Sequence, residues 1–301
     1  MKKISIIGAG NVGATAAYLI ALKGLADVVI VDVVEDLPQG KALDMRQAGA
    51  IENFKVSIKG SNDYSATDNS DIVIVAAGLA RKPGMTRNEL FEKNSAIVRS
   101  VIGEAIKHSP HAIFVIVTNP LDAIVRVAMD AGKIPKSRIL GMSGTLDSTR
   151  FRSFIAEETG ARPDQVKGIV IGVHSDAMVP LTSTASVSGK PLKEILSHEK
   201  ILDIIQKTRT GGAQVIELLK TGSAFYAPAS AITEIVEAIV RDSKKIIPCS
   251  VLLEGQYGVR DMFMGVPARI GAKGVEGVIE LDLDDWEKEE LKKSVEYIKR
   301  L

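Results

Sequence analysis

The stretch that most restricts the fold opens with Lys3-Ile4-Ser5-Ile6-Ile7, followed by Gly8-Ala9-Gly10-Asn11-Val12-Gly13, a helical pattern from Asn11 to Leu22, and Asp27-Val28-Val29-Ile30-Val31-Asp32. Both apolar runs have the length of buried strands, and the glycines break the chain between the first run and the helix. Strand, helix and strand together span about 30 residues, the size of one right-handed βαβ crossover. A glycine-rich turn alone carries little information. Here it follows a strand and opens a helix, and Asp32 ends the next strand about 20 residues further on. In that setting the glycines serve as a tight turn, a close backbone approach to pyrophosphate and a close helix-strand contact, with phosphates at the helix N-terminus. Asp32 is either an ordinary acidic strand end or the acceptor of adenosine ribose hydroxyls. In the second role its charge repels a 2′-phosphate, which favours NAD over NADP.

The alternation continues. Helical patterning covers Gly40 to Ala50, strands are predicted at Val56 to Lys59, Ile72 to Ala76 and Ala112 to Val117, and a helix runs from about Glu89 to Lys107. These strands are continuous apolar runs, which predicts an α/β fold with a doubly wound parallel sheet of Rossmann type, covered on both faces. Beyond about Met142 helical segments dominate: Ser148 to Glu158, Lys200 to Thr221, Ala229 to Arg241 and Trp286 to Arg300, between short strands at Val166 to Ile171, Cys249 to Leu253 and Val278 to Leu281. The predicted division is a dinucleotide-binding domain over 1–143 and a mixed α+β catalytic domain over 144–301.

Three further clusters carry chemistry. Leu79-Ala80-Arg81-Lys82-Pro83-Gly84-Met85-Thr86-Arg87 follows a predicted strand, at the strand end where open α/β sheets bind ligands. Its Pro and Gly predict a loop able to move over a site, and its flanking arginines suit a carboxylate; a solvated basic loop is the plain alternative. Asp147 and Arg150 are three residues apart, hence on one helical face, where an intrahelical ion pair is the plain reading. His174 emerges from the apolar run Ile169-Val170-Ile171-Gly172-Val173 into a polar turn. Histidine is the usual proton shuttle near neutral pH, and a carboxylate such as Asp147 beside it fixes its tautomer.

Composition narrows the class. In 301 residues, 38 Lys and Arg balance 37 Asp and Glu, which gives no sign of a nucleic-acid or general membrane-surface binder. The single cysteine, Cys249, excludes an internal disulfide framework and a multi-cysteine zinc site and fits a cytoplasmic protein; no metal site is expected. Met1-Lys2-Lys3 before an apolar run superficially resembles a signal peptide, but Gly8, Gly10 and Gly13 interrupt that run. No window holds the roughly 18 uninterrupted apolar residues of a membrane span.

Thr118-Asn119-Pro120-Leu121-Asp122, Leu146-Asp147-Ser148-Thr149-Arg150-Phe151, Gly172-Val173-His174-Ser175-Asp176, Gly255-Gln256-Tyr257-Gly258 and Gly265-Val266-Pro267 follow the glycine turn in this order. With it they resemble the lactate/malate dehydrogenase family over nearly the whole chain, in the branch of malate dehydrogenases built on the lactate dehydrogenase plan. The resemblance implies that His174 is the acid/base group and that Asp147 holds it and stabilises its imidazolium. It further implies that Arg150 clamps the C1 carboxylate, that Arg87 closes with the loop to polarise the carbonyl, and that Asn119 binds the substrate oxygen. NAD contacts would come from Gly8, Gly10, Asn11, Val12, Gly13, Asp32, Ala76, Gly78, Asn94, Val117 and Asn119. Arg81 falls where lactate enzymes carry glutamine and malate enzymes arginine, so it would pair with the second carboxylate of a small dicarboxylate. Ala224 falls where lactate enzymes commonly carry threonine and leaves more room. A homotetramer, otherwise a dimer, is implied.

Two departures stand out: the family usually has glycine at 175 and a hydroxyl residue at 177, where this chain has serine and alanine. Rival readings are an L-lactate or other 2-hydroxy acid dehydrogenase, opposed by Arg81 and Ala224, and an NAD-dependent glycosidase, which is expected to be longer and to need a metal. A non-catalytic binder is the third; it would need no proton shuttle.

Overall fold

The two apolar runs that frame the glycine turn form parallel strands β1 (Lys3–Ile7) and β2 (Asp27–Val31), in register from Lys3 opposite Asp27 to Ile7 opposite Val31. Between them lies α1 (Asn11–Leu22), whose buried face is mostly alanine and glycine (Gly13, Ala14, Ala16, Ala17), small enough for close contact. Then follow α2 (Leu37–Glu52), β3 (Ile58–Ser61), β4 (Ile72–Val75), α3 (Arg87–His108), β5 (Ile113–Ile116), α4 (Leu121–Gly132) and β6 (Ile139–Gly141). All pairings among these six strands are parallel, in the order β3-β2-β1-β4-β5-β6. Every residue of β4 and β5 is buried, as a strand covered on both faces must be. The order reverses between β1 and β4. Beyond the carboxyl ends of those two strands lies the crevice where this architecture takes ligands.

The chain continues with α5 (Gly144–Thr159), the short strands β7 (Val166–Lys167), β8 (Val170–Ile171), β9 (Val179–Pro180), β10 (Ser186–Val187) and β11 (Lys190–Pro191), and α6 (His198–Leu219). Next come α7 (Tyr226–Val240), β12 (Lys245–Glu254), β13 (Arg260–Gly271), β14 (Gly274–Val278) and α8 (Asp285–Ile298). This computed structural model describes residues 1–80 and 84–300, in two compact units. The first comprises Met1–Met142, Phe225–Lys245 and Arg269–Gly277; the second comprises Ser143–Ala224, Ile246–Ala268 and Val278 onward. In the second unit Phe151, Ile155, Met178, Leu192, Ile201, Ile204 and Ile205 form one buried cluster.

Helix α7 packs within the first unit, where Lys23 at the end of α1 pairs with Glu237 at 2.6 Å. Several elements differ from the sequence expectation. The strand expected at Val278 to Leu281 instead ends at Val278. The 12-residue β13 contains Gly265 and Pro267, residues that discourage a strand assignment from sequence. Helix α3 begins at Arg87 rather than about Glu89. The Thr86 hydroxyl accepts the Glu89 amide N–H at 3.1 Å and the Glu89 carboxylate accepts the Thr86 N–H at 2.8 Å, which starts the helix two residues earlier. Among the described residues no helix is long and apolar enough to cross a membrane.

Candidate active site

In the first unit the three turn glycines have separate reasons to be glycine. Gly8 has φ +113°, and a Cβ there would lie 2.7 Å from the Ala77 nitrogen. A Cβ on Gly13 would lie 2.0 Å from the Gly8 carbonyl oxygen, so α1 can approach the turn only without a side chain. At Gly10 a Cβ would meet nothing within 4 Å. Gly10 is also the N-cap of α1 and offers no side-chain cap, which leaves the first-turn N–H groups, beginning with exposed Asn11 and half-buried Val12, to an anion. Open space over an uncapped helix start beside a glycine turn fits the pyrophosphate of a dinucleotide.

Asp32, at the end of β2, accepts the Ala9 N–H at 2.6 Å and the Val34 N–H at 3.0 Å. It therefore pins the glycine turn to the strand end. A carboxylate has about four acceptor positions, so this brace leaves capacity for ribose hydroxyls. Asn62, absent from the sequence reading, donates to the carbonyls of Asp32 at 2.7 Å and Val34 at 2.9 Å and so fixes the backbone after the acid.

At the ends of β4 and β5 lie Ala76, Gly78, Val117 and Asn119. Thr118 Oγ1 donates to the Ala77 carbonyl at 2.6 Å, and a Cβ on Gly78 would lie 2.5 Å from Thr118 Cγ2. Asn94 is wholly buried: Oδ1 accepts the Leu79 N–H at 2.7 Å, and Nδ2 donates to the Leu79 carbonyl at 3.1 Å and the Asn119 carbonyl at 2.7 Å. Its amide thus holds two backbone segments together. Asn119 is exposed and joined to Pro120 by a cis peptide bond. Arg87, exposed, is the first residue of α3, while Arg81, Lys82 and Pro83 lie outside the described residues.

In the second unit three of the expected groups meet. The start of α5 carries Asp147 and Arg150 on one face, and His174 follows β8. His174 Nδ1 and Asp147 Oδ2 are 2.8 Å apart; Asp147 Oδ1 and Arg150 Nη1 are 3.6 Å apart. The side chains are 14%, 3% and 17% exposed for His174, Asp147 and Arg150, so the charges interact with little water between them. Burial pushes the Arg150 guanidinium below its ordinary pKa, opposed by the Asp147 charge. Arg150 has no hydrogen bond among the described residues, and Asp147 Oδ1 is buried with none either. A largely buried guanidinium that makes no hydrogen bond among the described residues is chemically suited to a carboxylate.

The scaffold around these groups was not visible in the sequence. Ser148 Oγ accepts the Val170 N–H at 2.9 Å and ties α5 to β8, while Ser294 Oγ on α8 accepts the Val173 N–H at 2.8 Å, one residue before the histidine. Ser175, in place of the family's usual glycine, has no positive φ, and its hydroxyl accepts the Ala177 N–H at 3.1 Å, so serine supports this turn rather than straining it. No cluster of three or more His, Cys, Asp or Glu side chains able to hold a metal occurs among the described residues.

A doubly wound sheet with a dinucleotide turn, and a histidine-carboxylate pair beside a largely buried arginine, are the features of an NAD-dependent oxidoreductase. Residues 2–141 match the family model described as lactate/malate dehydrogenase, NAD binding domain, and residues 144–300 the one described as lactate/malate dehydrogenase, alpha/beta C-terminal domain. The chain belongs to the lactate/malate dehydrogenase family, and its cofactor is NAD. A malate dehydrogenase of Chlorobium phaeobacteroides is 51% identical over 98% of this chain and 96% of its own. The crystal structure of Cryptosporidium parvum malate dehydrogenase matches with a TM-score of 0.97 and 45% identity, covering 99% of this chain and 97% of that one. The lactate dehydrogenase of the same organism, complexed with lactic acid and NAD, matches with 0.96 and 39% identity over 99% and 96%.

Proposed function

We propose that the chain is a malate dehydrogenase that interconverts (S)-malate and oxaloacetate. The observation that carries the 2-hydroxy acid chemistry is the largely buried Arg150, without a hydrogen bond among the described residues, beside the Asp147–His174 pair; the choice of malate is supported by Arg81 in the sequence and by the malate dehydrogenase relatives. NAD, when bound, accepts or supplies the hydride. The chain's own residues bind, orient and move the proton. Arg150 grips the C1 carboxylate through two parallel hydrogen bonds. His174, through the ring nitrogen turned away from Asp147, takes the hydroxyl proton in oxidation and returns it in reduction, while Asp147 balances the imidazolium. Asn119 binds the reacting oxygen and Arg87 polarises it. Gly8, Gly10, Asn11, Val12 and Gly13 cradle the pyrophosphate and Asp32 takes the ribose hydroxyls; Ala76, Gly78, Asn94, Val117 and Asn119 form the ledge beneath the rest of the cofactor.

Arg81 pairs with the second carboxylate. An uncompensated buried charge costs about 3 to 5 kcal/mol, on the order of hundreds-fold or more in rate. Pyruvate would leave Arg81 itself unpaired, so discrimination works in both directions. The same chain forms a homotetramer or dimer: α2 exposes Leu43 and Ile51, and α6 exposes Ile216, Leu218 and Leu219, apolar surface suited to a second copy. The test is NADH oxidation followed by absorbance with oxaloacetate and pyruvate side by side, for the wild type and Arg81→Gln. A large oxaloacetate preference that collapses in the variant is expected. Preference for pyruvate in the wild type overturns the substrate assignment, and an unchanged preference in Arg81→Gln removes Arg81 from specificity.

A further inference from the structure

Helix α6 carries two consecutive glycines, Gly211 and Gly212, well inside its 22 residues. Glycine is the weakest helix former after proline, and neither position has the positive φ that would require it. The neighbour of both is Arg150. A methyl on Gly212 would lie 3.3 Å from Arg150 Nη2, 3.4 Å from Nη1 and 3.6 Å from Cζ. A methyl on Gly211 would lie 3.6 Å from Arg150 Cδ and 3.3 Å from Phe154 Cε2. The Nη1 and Nη2 end of the guanidinium therefore lies where a side chain on Gly212 would crowd it, at distances tighter than ordinary carbon contacts. By contrast Gly103, in the interior of α3, would meet nothing within 4 Å.

We infer that Gly212, with Gly211 beside it, is the floor of the Arg150 carboxylate seat: a positioning element that sets where the guanidinium lies and hence how well a substrate carboxylate is gripped. The inference rests on the reading of Arg150 as the carboxylate clamp. Arg150 has one ion pair, to Asp147 at 3.6 Å, and no hydrogen bond among the described residues. Among the described residues no further polar contact holds the guanidinium if its floor is raised. A side chain at 212 displaces it by a few tenths of an ångström away from α6, against the bidentate geometry that a carboxylate requires.

Gly212→Ala separates this role from a structural one, because the two predict opposite signs. Alanine is the better helix former, so thermal stability holds or rises. The KM for oxaloacetate rises on the order of tenfold, as misplacement of a positioning group implies, while NADH affinity stays within about twofold. Gly103→Ala, measured beside it, raises Tm and leaves KM unchanged. An unchanged KM in Gly212→Ala overturns the proposal, and so does a KM rise accompanied by a lower Tm, which is the signature of a disturbed fold. Arg150→Lys distinguishes the two levels of inference. If it leaves KM for oxaloacetate unaltered, the clamp reading falls; if it raises KM and Gly212→Ala does not, only the floor falls.

Discussion

Replacing Asp147 by asparagine removes a charge and no heavy atom, and the geometry dictates which way the new amide must face. Oδ2 lies 2.8 Å from His174 Nδ1, and Oδ1 lies 3.6 Å from Arg150 Nη1. Arginine can only donate, so the amide oxygen belongs on the Arg150 side and the amino group on the His174 side. Nδ1 must then accept, the ring proton moves to Nε2, and the nitrogen that should take the malate proton is already protonated. The imidazolium also loses its counter-charge. At about 4 Å and an effective dielectric near 20 that attraction is worth about 4 kcal/mol, which corresponds to about a thousandfold in kcat. The assay is malate oxidation in single turnover, followed by NADH absorbance, with NADH affinity from fluorescence and stability from urea unfolding. NADH affinity is expected to change little, whereas stability falls, because the largely buried Arg150 loses the charge of its ion-pair partner. A variant that keeps kcat within about tenfold of wild type, with affinity and fold intact, would refute the charge and tautomer argument together.

Two further outcomes follow from the described geometry. Gly13→Ala puts a carbon 2.0 Å from the Gly8 carbonyl oxygen and is expected to lower Tm and abolish NADH binding. Gly10→Ala meets no protein atom within 4 Å and is expected to fold with an unchanged Tm yet bind NADH weakly in fluorescence titration. Burial, with the charges of Glu104 and Asp32, pushes the Tyr64 phenol up to about 12 from an ordinary value of 10.0. Between those values the folded chain keeps a proton that the unfolded chain has lost, so this contribution is whole below the unfolded value and fades as pH rises toward the folded one. Urea unfolding across that window should show stability falling with pH in the wild type and a flatter profile in Tyr64→Phe.

What could be read from the sequence was what local spacing determines. Continuous apolar runs announced β1, β2, β4 and β5, and a glycine turn between strand and helix announced the crossover, because burial on both faces demands such runs. Asp147 and Arg150 share a face by helical spacing alone. The Thr86-Arg87-Asn88-Glu89 box was equally local and would have placed the start of α3. The illegible part is long-range. Asn94 binds Asn119 across 25 positions, Asn62 binds Asp32 across 30, and Ser294 binds the Val173 amide across 121. Each uses an ordinary polar residue whose partner is a backbone group, and a backbone group has no signature in sequence. β13 was missed for a related reason: Gly265 reads as a break, yet the Gly265 and Gly172 amides exchange hydrogen bonds at 2.8 and 3.1 Å. A Cβ on Gly265 would lie 2.8 Å from the Gly172 carbonyl oxygen, so the strand needs glycine there.

The fold itself cannot carry the choice of substrate. A malate and a lactate dehydrogenase from one organism match this chain with TM-scores of 0.97 and 0.96, a difference far too small to divide two activities. Specificity must therefore reside in a few side chains placed on a common frame. In the proposed mechanism Arg150 and the His174–Asp147 pair serve any 2-hydroxy acid, because every such substrate brings a C1 carboxylate and a reacting oxygen. Only a group facing the far end of the substrate can separate a second carboxylate from a methyl. In the proposed reading those groups are Arg81 and Ala224, one acting by charge and one by volume. Charge is the stronger lever: a methyl-sized change in a pocket discriminates by about 1 to 3 kcal/mol, less than the about 3 to 5 kcal/mol of an unpaired buried charge. Arg81→Gln should consequently shift the oxaloacetate-to-pyruvate ratio further than Ala224→Thr. The reverse ranking would place the discrimination in pocket volume.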